Sequence, residues 1–583
     1  MSKKKVVVVG AGPGGLTAGM LLASRGYDVE VFEKEPCIGG RNARLSLGEF
    51  HFDLGPTFLM MRFILDEVFQ LAGRDVKDYL EIKSLDPLYH LKFGSGRELH
   101  VTSDSAEMKR RIEELYPGDG AGMDKYLAYE PEKYRRLVPC LQVPYDSPLD
   151  YLRPKVLQAV PYLDVHLSLY QHLGRYFKHE ETKLSFTFQA KYLGMSPWKC
   201  PGLFSLISFI EHDGGIHHPI GGLNRISVAM AKVVEEERGR IHLSTPVREV
   251  IVRGGKAAGV RLESGDVVRA DHVVVNADFG HAVNHLFPRE HLKRWTPEKL
   301  ERKSFSCSTF MLYLGVDKLY RDLPHHNIFF APDYKRNVDE ISERLELSQD
   351  PSVYVQNACV TDPTLAPEGQ STLYVLVPIA NNRSNIPWAS VQQSYREKVL
   401  DILETRAGLS DVREHIVAER VITPLEWESP RAVYRGAVFN LGHSVSQMLY
   451  LRPHNRFEEI DGCYLVGGGT HPGSGLPTIY ESGRISAGLI MKRDAWLEGC
   501  STVTATVSPP YDLVCGCTSI PLSNGPTAVV PCMFPTGAVA ADNRCKGVVT
   551  ASTCNVIGGG QPGHWTLRTA SIPGAGAVCR KAP

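Results

Sequence analysis

Residues 5 to 33 switch hydrophobic period twice. KVVVVG is a short unbroken apolar run, the pattern of a strand buried on both faces. GPGGLTAGMLLASRG then spaces small and apolar residues as a helix does, and YDVEVFE returns to a strand that ends on an acid. GGRNARLSLGEFHFDLGPTF, 39–58, predicts loop and short strand punctuated by glycine. From 76 to 210 the pattern is helical and rich in aromatics, as in PYLDVHLSLYQHLGRYF and PGLFSLISFIEH. Residues 242–278 predict short β-segments joined at GG and SGD turns, closing on the apolar core of HVVVNAD. Residues 300–456 mix strands and helices. CYLVGGG predicts one more buried strand, and IYESGRISAGLIMKR a closing helix that ends at Arg493.

Composition removes several classes of function. Hydrophobic residues make up 43% of the 583, enough for a globular body of two or more domains. Lys+Arg and Asp+Glu both number 65 with no long run of one sign, so nucleic acid is not an expected partner. No apolar stretch approaches the ~20 residues of a spanning helix. MSKKK leads directly into a strand, without the separate apolar segment of a signal peptide. The expected place is cytoplasmic, with any membrane contact peripheral. Six cysteines are scattered up to Cys463 and suit reduced thiols, whereas seven crowd the stretch from Cys500 onward. Residues 494–583 are rich in Gly, Pro, Ser, Thr, Ala and Cys. They predict an extension foreign to the catalytic body, either disordered or an out-of-frame end.

The first motif carries the chemistry. Gly10-Ala-Gly12-Pro-Gly14-Gly15 lies between the apolar run and the helix. Gly10 permits the tight turn, Gly12 lets backbone approach a pyrophosphate, and Gly15 lets helix and strand pack closely. The helix N-terminus offers free N–H groups and a positive dipole to the anion. Glu33 ends the second strand, where a carboxylate accepts hydrogen bonds from ribose hydroxyls and repels a 2′-phosphate. FAD or NAD is therefore expected over NADP. Arg41, in Ile38-Gly39-Gly40-Arg41, follows closely enough to reach the same pyrophosphate.

GxGxxG…E, GGR, FDLGPT, the 242–278 segment and VGGGTHPGSGLP, in this order, resemble the FAD-dependent amine-oxidase/phytoene-desaturase superfamily. Within it the chain is similar to the bacterial-type carotenoid desaturases of the phytoene and diapophytoene kind. FTFQAKYLGMSPWKCPGLFSLISFIEH and GGIHHPIGGLNRISVAMA resemble that family's central segment. The resemblance spans 5–493. It implies an α/β fold with a discontinuous Rossmann-like FAD-binding domain (1–75, 218–290 and 457–493). The remainder, 76–217 and 291–456, would form a mixed-sheet and helical substrate domain facing a membrane.

The resemblance further implies FAD as cofactor. Lys34, Gly40 and a backbone contact of Val247 with adenine would join the first motif around its ADP half, and the glycine turn of Gly55, Pro56 and Thr57 would lie beside a planar ring. Gly468, Gly469, Gly475 and Leu476 would meet the other half, with the closing helix dipole aimed at the ring. The implied reaction introduces double bonds into an apolar polyene, phytoene or diapophytoene, by hydride transfer to flavin N5, with the reacting C–H held ~3–3.5 Å away. Oxygen or a quinone would accept the electrons, and the polyene would arrive from a membrane surface by monotopic contact. His471 and Glu481 are candidates for the proton acceptor. Each has a plainer reading, His471 as a turn residue and Glu481 as a charge offsetting the helix dipole. At Tyr480-Glu481-Ser482-Gly483 the chain departs from the small or apolar residues usual in the family.

Two rival readings keep the fold: a carotenoid cis–trans isomerase or terminal-methyl oxidase, and a prenyl-protein escort without turnover. His281 and His285 stand at i,i+4 spacing but lack an interposed Glu and a third ligand, so no metal is expected. The pairs His217-His218 and His325-His326 are expected in loops. The apolar segments 162–177 and 201–210 suit a substrate tunnel, a membrane interface or ordinary core.

Overall fold

Val6 to Val9 have no polar side chain to show water, and all four are buried. They form the middle strand of a five-stranded sheet whose order is Cys463–Leu465, His272–Val275, Lys5–Val9, Asp28–Phe32, Arg240–His242. Every neighbouring pair is parallel, with Val7 opposite Val273 on one side and Glu30 on the other. The computed structural model describes residues 3–501. The expectations for 502–583, including most of the cysteine-rich extension, lie outside the described residues.

Alternation within the valine strands sorts the two faces. Val6, Val8, Val29 and Val31 pack against the helices Pro13–Ala23 and Asn224–Glu236. Val7, Val9, Val273 and Val275 pack under a three-stranded antiparallel sheet built from Val247–Arg253, Lys256–Leu262 and Val267–Arg269. A parallel sheet covered on both faces, with a glycine turn from first strand to first helix, is the Rossmann-like α/β arrangement.

A second sheet has seven strands, in the order Ile416–Ile422, Ser308–Val316, Ser371–Ile379, Val353–Asn357, His326–Phe329, Tyr89–Lys92, Glu98–Val101. All its pairs are antiparallel except Tyr89–Lys92 with His326–Phe329. The helix Trp388–Thr405 covers one face through Trp388, Tyr395 and Val399, against Phe310, Leu312 and Leu314.

Helices from Ser105 to Gly214 gather an aromatic core of Tyr126, Phe177, Phe186, Phe188 and Phe209. Leu169, Leu173 and Leu206 belong to it, so much of 162–177 and 201–210 is ordinary core. Five large exposed apolar side chains lie at or just before the start of the first segment, between 149 and 165.

The closing helix runs Leu476–Ser501, beyond the expected end at Arg493. Asp-Ala-Trp-Leu-Glu, 494–498, contains no Gly or Pro to stop it. Among the described residues no helix is long and apolar enough to cross a membrane.

Candidate functional site

The fingerprint loop is shaped by backbone that tolerates no side chain. Gly10 has φ +97°, and a Cβ on Gly15 would stand 2.3 Å from the Gly10 carbonyl oxygen. The Gly10 N–H donates to Phe32 O at 2.8 Å, which ties the turn to the second strand. A Cβ on Gly12 would meet Asn276 Nδ2 at 2.8 Å, and one on Gly14 would meet Asn276 Oδ1 at 2.9 Å. Asn276 Nδ2 donates to Gly10 O at 3.2 Å, so it braces the loop from the C-terminal end of the strand His272–Val275. The helix Pro13–Ala23 has no side-chain cap and no acid in its first turn, so its leading N–H groups are left for an anion.

Glu33 is buried beside this loop. Its Oε2 accepts from Ala11 N at 2.7 Å and its Oε1 from Glu35 N at 2.9 Å. Burial pushes its carboxyl above the usual carboxylate range. The Thr245 N–H donates to Glu33 O at 2.8 Å and the Ser244 N–H to Glu35 O at 3.0 Å. That places the start of the strand Val247–Arg253, and so Val247, two residues from a Glu33 contact.

The second cluster rests on the loop. The Gly39 N–H donates to Ala11 O at 3.0 Å, and a Cβ on Gly40 would stand 3.5 Å from Gly12 Cα. Arg41 spans inward, with Nη2 3.0 Å from Asp278 Oδ2 and Nη1 donating to Val438 O at 2.6 Å. A Cβ on Gly55 would be 2.5 Å from Arg41 O, which seats Gly55, half-buried Pro56 and buried Thr57 beside Arg41. Tyr374 Oη donates to Gly55 O at 2.6 Å, and Thr57 Oγ1 shares a 2.8 Å hydrogen bond with Tyr354 Oη. Lys34 pairs elsewhere: its Nζ donates to Pro430 O at 2.6 Å and meets Glu35 at 2.9 Å.

The third cluster arrives from the far end of the chain. Only one strand separates Cys463–Leu465 from Lys5–Val9. A Cβ on Gly14 would therefore stand 3.0 Å from Gly467 N, and one on Gly483 2.8 Å from Gly14 O. Gly467 has φ +98° and its N–H donates to Ser482 Oγ at 2.8 Å. A Cβ on Gly469 would collide with Phe279 Cβ at 2.5 Å. Gly475, at φ +115°, turns the chain into Leu476, the first residue of the closing helix. Strand order thus brings both glycine-rich segments, more than 400 positions apart, into van der Waals contact.

Beneath this turn lies Arg452, fully buried. It donates to Gly468 O at 2.6 Å, to Thr470 O, Gly442 O and Gln447 O at 3.1 Å each, and to Leu441 O at 3.2 Å. Burial pushes its guanidinium down to about 9, so it stays charged at neutral pH. Sequence reasoning missed Arg452 because an isolated arginine ordinarily signals surface. It also missed Asn276, although its place at the end of a buried parallel strand, where ligands collect, was a usable signal.

The two candidate proton acceptors are both buried. His471 lies edge-on to Tyr145, ring centroids 5.0 Å apart, and burial drives its imidazole down to about 3. An imidazole that weak is a poor acceptor near neutral pH. Glu481 accepts from Gln142 Nε2 at 2.9 Å and from Arg484 Nε at 2.7 Å, and burial holds its carboxyl above the usual range.

The paired histidines are not loop residues throughout. His218 lies in the strand His217–Pro219 and His326 in His326–Phe329, and both are buried along with His325. His218 Nε2 meets Asp362 Oδ2 at 3.0 Å, and His326 Nδ1 meets Tyr354 Oη at 2.8 Å. The imidazoles of His281 and His285 lie 4.6 Å apart, tilted at 34° to one another.

These residues fit FAD: a glycine cradle with no room for a Cβ, uncapped helix N–H groups, a buried acid and a second glycine turn against the first. The chain matches the profile of flavin containing amine oxidoreductases over residues 13–491. It is 50% identical over 490 residues to a 4,4'-diapophytoene desaturase (4,4'-diapolycopene-forming) of Methylomonas sp, covering 84% of this chain and 96% of that protein. It is 39% identical to an all-trans-zeta-carotene desaturase of Myxococcus xanthus, covering 83% and 93%. Putrescine oxidase bound to putrescine shares the fold at TM-score 0.57 and 15% identity, covering 84% and 99%. The chain therefore belongs to the flavin containing amine oxidoreductase family, among its carotenoid desaturases.

Proposed function

We propose that the protein is an FAD-dependent desaturase of carotenoid precursors, with 4,4'-diapophytoene as its first substrate. The observation that carries this reading is the contact of Gly14 with Gly467, which makes one long nucleotide site from two ends of a chain half identical to a diapophytoene desaturase. FAD bound there would supply the two-electron acceptor that desaturation requires.

The protein's own residues bind and orient. Gly10, Gly12, Gly14 and Gly15 clear space for the pyrophosphate, and Glu33 holds the ribose. Arg41, fixed by Asp278, adds a cation one residue after Gly40, whose Cβ position faces Gly12. Gly468, Gly469, Gly475 and Leu476, propped from below by Arg452, bring backbone and the closing helix N-terminus to the other half. Segments 1–75, 218–290 and 457–493 would make up the cofactor body, and 76–217 with 291–456 the substrate body. Glu481, already bonded to Gln142 and Arg484, is better placed than His471 to hold a proton, because its carboxyl is drawn toward neutral pH while the imidazole is pushed away from it.

The substrate would come from a lipid surface through the exposed apolar segment 149–165, and oxygen or a quinone would take the electrons onward. The test is the absorption spectrum of products after the flavin-loaded protein meets 4,4'-diapophytoene, and in parallel phytoene, in liposomes. New long-wavelength bands from added conjugated double bonds are expected. A yellow protein that leaves both polyenes colourless, or only isomerises an already coloured one, overturns the proposal.

A further inference from the structure

The hairpin Tyr89–Lys92 and Glu98–Val101 ends the seven-stranded sheet, with Glu98–Val101 as its free edge. Its register sets His90 opposite His100 and Lys92 opposite Glu98. Side chains two apart on one strand, and directly opposite on its partner, share a face. His90, His100 and Glu98 therefore converge on one side of the hairpin. The two imidazoles stack at 4.6 Å and 15°, and His90 Nε2 lies 3.2 Å from Glu98 Oε2. One ligand atom from each of the three residues lies within 4.8 Å of the others.

We propose that His90, Glu98 and His100 bind a divalent transition-metal ion of the zinc class at this sheet edge. Two imidazoles and one carboxylate are a common zinc donor set, and ligands held at ~2.0–2.2 Å from the ion need only a small inward movement from the present spacing. Glu98 engages the ion through Oε2, since its Oε1 is taken by Lys92 Nζ at 2.9 Å. His90 is buried while Glu98 and His100 are exposed, so water can fill the fourth position. Burial lowers both imidazoles, helped at His90 by His100 and at His100 by Arg111, while Glu98 beside them acts in the opposite direction. The Lys92 hydrogen bond keeps Glu98 ionised. The hydrogen that His90 Nε2 donates to the ionised Glu98 Oε2 must move to Nδ1 or be released as a metal enters. The ion would cross-link two strands that otherwise end the sheet, and none of its ligands belongs to the glycine-lined site.

The full flavin-loaded chain is dialysed to equilibrium against micromolar free zinc, and zinc per chain is measured. His100→Ala and Glu98→Gln are compared with the wild type because cysteines elsewhere can also take zinc. Each variant should bind one ion fewer than the wild type, with unchanged flavin absorbance per protein. Either variant retaining the wild-type stoichiometry overturns the proposal. So does loss of that ion from a His281→Ala/His285→Ala variant, which would move the site to the histidine pair there.

Discussion

Asp53 shows how much one buried carboxyl can decide. It lies at the end of the strand Phe50–Asp53, accepts the Leu223 N–H at 2.7 Å, and is pushed up to about 6 by burial, which His218 and the backbone only partly offset. A carboxyl raised from 3.8 in the unfolded chain contributes fully below about pH 4, and that contribution is lost as pH rises through 6. The loss is about 3 kcal/mol, from roughly two pKa units at 1.36 kcal/mol each. Asp53→Asn removes the titration whatever its constant offset. Thermal unfolding of both proteins from pH 4 to pH 7 should show the Asn variant gaining steadily on the wild type. Parallel profiles would mean Asp53 is ionised at no cost. Arg452 is the opposite case, a buried cation that meets five carbonyls and no carboxylate among its bonds, and so fixes backbone rather than charge balance.

Among the elements, the contact of the closing helix with the first helix governs whether one nucleotide can be held by both. Gly483 makes that contact: a Cβ there would meet Thr17 Cβ at 2.7 Å and Gly14 O at 2.8 Å. Gly14 O is backbone and cannot rotate aside, so Gly483→Ala should cost about 1–3 kcal/mol through overpacking and lower the flavin-to-protein absorbance ratio. Gly488→Ala, in the same helix with nothing within 4 Å, should be neutral or stabilising by about 0.5–1 kcal/mol. Equal behaviour of the two variants would remove the helix contact from the account.

Elements with a strong local period were legible in the chain: the valine strands, the glycine turn and helix after them, and the strand before Gly467. The strands holding His218 and His326 were not, because they are only three and four residues long and their hydrogen-bond partners lie far off in sequence. Sheet order was also out of reach of local pattern. It is tertiary packing that puts His272–Val275 between the two glycine-bearing strands, and with it Asn276 between the two loops.

At the scale of the whole molecule, the proposed uptake of an apolar polyene from lipid calls for an apolar surface, and among the described residues the stretch 149–165 is the candidate for it. Five of the thirteen large exposed apolar side chains among the described residues fall between 149 and 165: Leu149, Leu152, Leu157, Val160 and Val165. Scattered singly, such residues need no explanation, but five within 17 positions make this stretch a candidate contact surface. Arg153 and Lys155 lie among them, the mixture that suits a lipid interface. Leu149 and Leu152 are the most exposed of these five, at 72% and 63%. Each would yield about 1.5–3 kcal/mol on entering the acyl region, so replacing both by Asp should weaken vesicle partitioning at least about tenfold. Flotation with neutral phosphatidylcholine vesicles isolates this apolar part from attraction to lipid charge. The double variant should stay at the bottom of the gradient while its flavin absorbance remains unchanged, since neither residue touches the nucleotide site. Undiminished flotation would mean that this segment makes no membrane contact and is surface without a lipid partner.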